Sequence, residues 1–217
     1  MRSIEHYYLS ITSRLRDITN PYLGPLRRKR LSRTDITIIS NNCWGAHCYR
    51  YFQLPYDSPT IGLYMYPDDY IRFINDLKHY MNMELRFIPY TESVRKEELI
   101  KKGQTNVPIG VLDDVEIVFL HFHSEKEAAD KWERRKKRIH WDNIYYKFSE
   151  MNDCEYRHLK AFDELPTTKK FMFTAKEYPE FTSAVFFNGG GKEDQIQNDT
   201  MAFNPNINLV RFFNGNT

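Results

Sequence analysis

The stretch from Leu112 to Asn143, LDDVEIVFLHFHSEKEAADKWERRKKRIHWDN, constrains the fold most, because it joins a strand signal directly to a capped helix. Val115 to Leu120 is a nearly continuous run of β-branched and aromatic residues, the composition of a strand buried on both faces. Ser124 stands three residues before Glu127, so its hydroxyl accepts from the Glu127 amide while the Glu127 carboxylate reaches back to the Ser124 amide. At 100° per residue, Ala128, Trp132, Arg135 and Ile139 share one face of the helix that follows. Arg135 sits inside that apolar stripe, and a guanidinium there needs a partner.

Around this unit the chain alternates strands and helices. Asp35 to Ser40 is β-branched and breaks at Asn41-Asn42-Cys43-Trp44-Gly45, before a helix over Ala46 to Phe52. Thr60 to Tyr66 reads as a strand. Pro67-Asp68-Asp69 then opens a helix whose buried stripe is Tyr70, Phe73, Ile74, Leu77 and Met81. Leu85 to Tyr90 is a further strand, and the charged segment Glu92 to Gln104 is a helix or a loop. Ile144 to Phe148, Cys154 to Leu165 and Lys170 to Thr174 give strand, helix and strand. Ser183 to Phe187 and Leu209 to Phe213 read as strands separated by a turn at Asn188-Gly189-Gly190-Gly191. The expected fold is α/β: a mostly parallel, Rossmann-like sheet between helices, in three α/β/α layers with right-handed crossovers.

Before this domain, Ile4, Tyr7, Tyr8, Ile11, Leu15 and Ile18 form an amphipathic helix predicted to end near Asn20-Pro21. The basic run Arg27, Arg28, Lys29, Arg30 and Arg33 follows it. The chain divides on this reading into residues 1–34, a helix with a basic linker, and 35–217, one α/β domain. The helix either packs on that domain or rests on an anionic membrane surface.

A net charge of +2, from 31 Lys and Arg against 29 Asp and Glu, excludes a chain that is basic overall and points away from nucleic acid. Cys43, Cys48 and Cys154 are odd in number and lack C-x-x-C spacing, which argues against a disulfide framework and a structural zinc. A reducing cytoplasm is the expected compartment. The N-terminus shows no secretory h-region, and no window approaches the roughly 18 to 20 apolar residues of a membrane span.

In open parallel sheets the ligand crevice lies beyond the carboxyl ends of the strands. That rule selects Asn41, Asn42, Cys43, Trp44 and His47 after one strand, His121 and His123 after another, and Ser149, Asn152 and Asp153 after a third. Cys43 and His47 have the spacing of a thiol and its base, although no third orienting residue is visible and a buried, inert Cys43 is the plainer reading. His121 and His123 would point to one face of a strand, with proton transfer or hydrogen bonding favoured over metal ligation. Arg134 and Arg135 offer guanidinium forks that match phosphate oxygens, and Arg135 is equally open to an internal carboxylate. Asp113-Asp114 precedes its strand, and a structural or capping role is favoured there over a metal role. No Walker A or G-x-G-x-x-G motif is present, and no cofactor is evident, with the use of a divalent metal left open.

IISNNCWGAHCYRYF (Ile38 to Phe52), SPTIGLYMYPDDYIRF (Ser58 to Phe73), LDDVEIVFLHFHSEKEAADKWERRKKRI (Leu112 to Ile139) and DNIYYKF (Asp142 to Phe148) resemble the bacterial family DUF1919, over about residues 36–174. Members of that family are often described as exopolysaccharide biosynthesis proteins. The resemblance implies an α/β fold and a place in polysaccharide assembly, but no catalytic residue. Together with the polar strand-end cluster it suggests a transferase acting on a nucleotide sugar or a phosphorylated saccharide, in which His121 or His123 would be the base, Arg135 would hold a phosphate or carboxylate, and Asn41, Asn42 and Trp44 would bind the sugar. The alternative is a non-catalytic binding or assembly protein.

Overall fold

Four short strands build the central sheet. The computed structural model describes residues 4–187, 194–200 and 207–215, with side chains from residue 11 onward. Strands β1 (Thr37–Ser40), β5 (Ile144–Ser149), β6 (Lys170–Thr174) and β7 (Ala184–Phe186) form a parallel sheet in that order. Ile38, Tyr145, Phe171 and Phe173 face a cluster made with Trp44, Cys48, Tyr49 and Phe52 of helix α2 (Trp44–Phe52) and Phe212 and Phe213 of helix α8 (Leu209–Phe213). On the other face Ile39, Phe148 and Met172 meet helices α3 (Pro67–Asn75), α4 (Leu77–Asn82), α6 (Glu125–Lys136) and α7 (Tyr156–Asp163). Helix layers therefore cover both sides of the sheet, as the alternation of helices and strands requires.

The strand at Val115 takes a different place from the one its composition suggests. Val115–Val118 is β4 of a second sheet, antiparallel to β3 (Ile109–Leu112), which pairs in turn with β2 (Arg86–Ile88). The cause is local. Leu112 pairs with Val115, so Asp113-Asp114 is a two-residue hairpin loop, and Asp113 takes the left-handed conformation (φ 53°) such a turn needs. The acidic pair is engaged by its neighbours: Tyr80 donates to Asp114 (2.7 Å) and His79 contacts Asp113 (3.3 Å). Burial on both faces, correctly read from the apolar run, does not say which way the neighbours point.

Other elements differ for similar reasons. Thr60 to Tyr66 makes one antiparallel bridge, Tyr64 to Val118, and turns at Gly62 (φ 83°). Leu209–Phe213 is a helix whose N-cap, Asn208, accepts from the Arg211 amide (3.0 Å); five apolar residues carry too little period to tell helix from strand. The stripe from Tyr70 to Met81 is split at Asp76, whose carboxylate caps α4 through the His79 amide (3.2 Å). Glu92 to Gln104 holds a short helix, α5 (Lys96–Lys101). Ser124 caps α6 through the Glu127 amide (3.1 Å), while the Glu127 carboxylate reaches one residue further back, to the His123 amide (2.9 Å). The Asn188 to Gly191 turn lies outside the described residues.

Helix α1 (Ile4–Arg28) runs through Pro21 and Pro25 rather than stopping at the first. Docking compensates for the backbone bonds those prolines forgo. Arg27 donates to Asn20 (2.7 Å) and to the Tyr51 carbonyl (3.2 Å), and Arg28 to the Gln53 carbonyl (2.7 Å). Gly24 lies so close to α2 that a Cβ there would stand 2.3 Å from Gln53 Cγ.

Candidate functional site

Lys147 is the anomaly from which the site is built. It occupies the middle of a strand buried on both faces, is 1% exposed, and lies among the rings of Trp44 (5.6 Å) and Phe173 (5.4 Å). An ammonium in such surroundings requires an anion. That anion is Asp199, also fully buried, which ion-pairs with Lys147 and accepts at the same oxygen from Ser149 (2.6 Å) and Asn42 (2.9 Å). Lys147 donates in addition to Ser149 (2.5 Å) and to the Asn42 carbonyl (3.2 Å). Burial pushes the Asp199 carboxyl up, but Lys147, Ser149 and Asn42 outweigh it and hold it below the usual carboxylate range. Burial draws the Lys147 pKa down, against the pull of Asp199, and the pair ties the segment 194–200 down onto the ends of β1 and β5. The other Asp199 oxygen, Oδ1, is buried with no hydrogen-bond partner among the described residues.

Above this network opens a cleft of about 520 Å³. Asn42, Cys43 and His47 enter it from the end of β1 and the start of α2, Leu120 and His121 from the end of β4, and Met151 and Asn152 from the end of β5. The segment 194–200 contributes Gln197, Asn198, Asp199 and Thr200. The opposite wall is Tyr64, Lys102 and Gln104. Three strand ends thus converge, although β4 belongs to the second sheet. After β5, Asn152 and Asp153 both take left-handed conformations (φ 56° and 64°), which these two residue types tolerate better than most. Asn152 there accepts from Lys102 (2.8 Å). Lys102 lies against the rings of Tyr66 (4.8 Å) and Tyr64 (5.2 Å); burial draws its pKa down, against Asp153 and Glu98. Tyr64 donates to Gln104 (2.5 Å).

The residues selected from the sequence divide accordingly. Asn42, Cys43, His47 and His121 line the cleft. Asn41 does not: it is fully buried, its side chain donating to the Ser149 carbonyl (3.3 Å). Trp44 is 0% exposed and packs edge-on against Phe171 (5.2 Å), so it is core and has no face to offer a sugar. Arg135 is buried away from the cleft, where it donates to the Ile61 carbonyl (2.8 Å) between the rings of Tyr56 and Phe122. Among the described residues its partner there is a carbonyl and not a carboxylate. Arg134 is exposed on α6 outside the cleft. His123 is exposed too; the strand stops at Val118, so it and His121 share no strand face.

The Cys43–His47 pair lacks the electrostatics of a nucleophile and its base. Burial, with Asp199 nearby, pushes the Cys43 thiol up to about 11, and the thiol faces the Leu63 carbonyl (3.9 Å). Burial, with Arg50 and Arg16, draws His47 down to about 4, and Arg50 lies 2.9 Å from its Nδ1. A reactive dyad requires the opposite shifts. Among the described residues, no three His, Cys, Asp or Glu side chains are placed to hold a metal ion.

The fold and cleft describe an α/β protein with an amide-lined pocket over a buried ion pair. The chain belongs to the family described as "Domain of unknown function (DUF1919)", whose model matches residues 15–214. That match reaches beyond the motif-bearing middle in both directions, taking in the docked half of α1 and Asp199. An uncharacterised protein of Haemophilus influenzae is 32% identical over 175 residues, covering 81% of this chain and 79% of that protein.

Proposed function

We propose that the cleft binds a phosphorylated or nucleotide-activated saccharide, and that the protein is a cytoplasmic transferase of exopolysaccharide or capsular polysaccharide biosynthesis. The observation that carries this reading is the composition of the cleft wall. Gln104, Asn152, Gln197 and Asn198 converge there with the hydroxyls of Tyr64 and Thr200. Amides that both donate and accept suit a ring of sugar hydroxyls, which do the same. Lys102 is the cation positioned to meet a phosphate. His121, exposed at the rim, is the base that would take the proton of an acceptor hydroxyl as its oxygen attacks the anomeric carbon, the nucleoside diphosphate leaving with the bonding pair. Three free cysteines, Cys43, Cys48 and Cys154, support the reducing compartment.

The test is incubation of the purified protein with a panel of nucleotide sugars and saccharide acceptors, read by mass spectrometry. Transfer is expected from one donor class, and His121→Ala should lower it about 100-fold or more at unchanged melting temperature. Full transfer by that variant removes His121 from the chemistry. Saccharide binding with no turnover on any acceptor favours a non-catalytic binding protein of the same assembly pathway.

A further inference from the structure

The amphipathic helix α1 docks with its polar side inward. Asn20, Gly24 and Arg27 meet α2, and Arg16 donates to the Thr200 carbonyl (2.9 Å). Ile11, Leu15, Ile18, Tyr22 and Leu26 fall within an arc of about 80° on the opposite side. All five are exposed, from 55% at Leu15 to 77% at Tyr22. The sequence carries the same spacing back through Ile4, Tyr7 and Tyr8. Such a contiguous apolar stripe is a contact surface, unlike scattered single apolar residues.

We propose that this stripe lies on an anionic membrane surface. Charge decides among the occupants. Exposed Arg14 flanks the stripe, and exposed Lys29 and Arg30 follow its end, whereas Asp17, the one carboxylate among the described side chains of α1, lies well around the helix from it. Pairing two copies along the stripe would bring these cations together without carboxylates between them. Anionic headgroups neutralise them instead, while the apolar side chains enter the acyl boundary and Tyr22 takes the interfacial level. No helix among the described residues is long and apolar enough to cross a membrane, so the contact is a surface one. Because Arg16 holds Thr200 at the cleft wall, the membrane-facing helix and the cleft are held in one fixed relation.

Flotation of the full chain with phosphatidylcholine vesicles, with and without phosphatidylglycerol, tests this. Flotation is expected only with phosphatidylglycerol and should weaken as salt rises. Ile18→Asp should reduce binding by roughly tenfold or more, and joint reversal of Arg14, Lys29 and Arg30 to Glu should do the same, each at the wild-type melting temperature. The absence of flotation with the anionic vesicles overturns the proposal. So does undiminished flotation of a folded Ile18→Asp protein, or sedimentation showing a dimer that Ile18→Asp dissociates, which would assign the stripe to a second copy.

Discussion

Replacing Asp199 with Asn probes the buried ion pair with little change of shape. Lys147 and Asp199 are 1% and 0% exposed, so the substitution leaves the Lys147 amine out of water beside an amide that carries no charge. Breaking a buried pair from one side costs about 3 to 5 kcal/mol. In a chain of this length each kcal/mol lowers the midpoint by about 2 to 4 °C, so Asp199→Asn should melt roughly 6 to 20 °C below wild type. Urea denaturation at neutral pH gives the free energy independently. The double variant Lys147→Met/Asp199→Leu removes both charges and should recover most of the loss, because two apolar side chains carry no desolvation penalty. Acid acts in the same direction. The folded Asp199 carboxyl lies below its unfolded value, so its stabilisation is complete above the unfolded pKa and is lost as pH falls through the folded one. An Asp199→Asn protein within about 1 kcal/mol of wild type, or a double variant no more stable than the single, would refute the reasoning.

Further predictions follow from individual surroundings. With its thiol pushed up to about 11, Cys43 should carry roughly one thiolate in ten thousand at neutral pH, and iodoacetamide labelling should be about 100-fold slower than for a free cysteine. Rapid, selective alkylation would contradict that environment. Trp44→Ala should cost about 3 to 5 kcal/mol in urea denaturation, as a fully buried ring against Phe171 and Phe173 demands, and a cost under about 1 kcal/mol would remove Trp44 from the core. Arg135→Met should destabilise by about 1 to 3 kcal/mol through the orphaned Ile61 carbonyl while leaving saccharide affinity within about twofold. A large affinity loss in a folded Arg135→Met protein would return Arg135 to the binding site.

Local signals explain which parts of this architecture were legible. The β-branched run before Asn41, the Pro-Asp-Asp start of α3 and the β5-α7-β6 alternation each carry their own period and caps, so they fold where the sequence places them. The rule that ligands gather beyond strand ends brought Asn42, Cys43, His47, His121 and Asn152 to one cleft. What escaped depends on distant partners. Lys147 was visible as a lone cation in an apolar strand, by the argument applied to Arg135, but its carboxylate lies 52 positions away in a segment with no regular period. Tyr64, Lys102 and Gln104 face the strand ends only because β4 folds back on β3 through the Asp113-Asp114 hairpin, bridging Tyr64 to Val118. Trp44 follows a strand end as a binding residue would, yet the first turn of α2 swings it inward. The stripe on α1 was legible as a stripe but not as outward-facing, because periodicity identifies a face and not its neighbour.

Titration calorimetry of the wild-type protein and its Lys102→Ala variant with nucleoside diphosphate sugars tests the central claim most directly. The account predicts saturable binding of one nucleotide sugar to the wild-type protein, weakened about tenfold or more in the variant at unchanged fold, since a charge-assisted hydrogen bond contributes about 1.5 to 3 kcal/mol. Binding unaffected by loss of Lys102, or none with any such sugar, would contradict it.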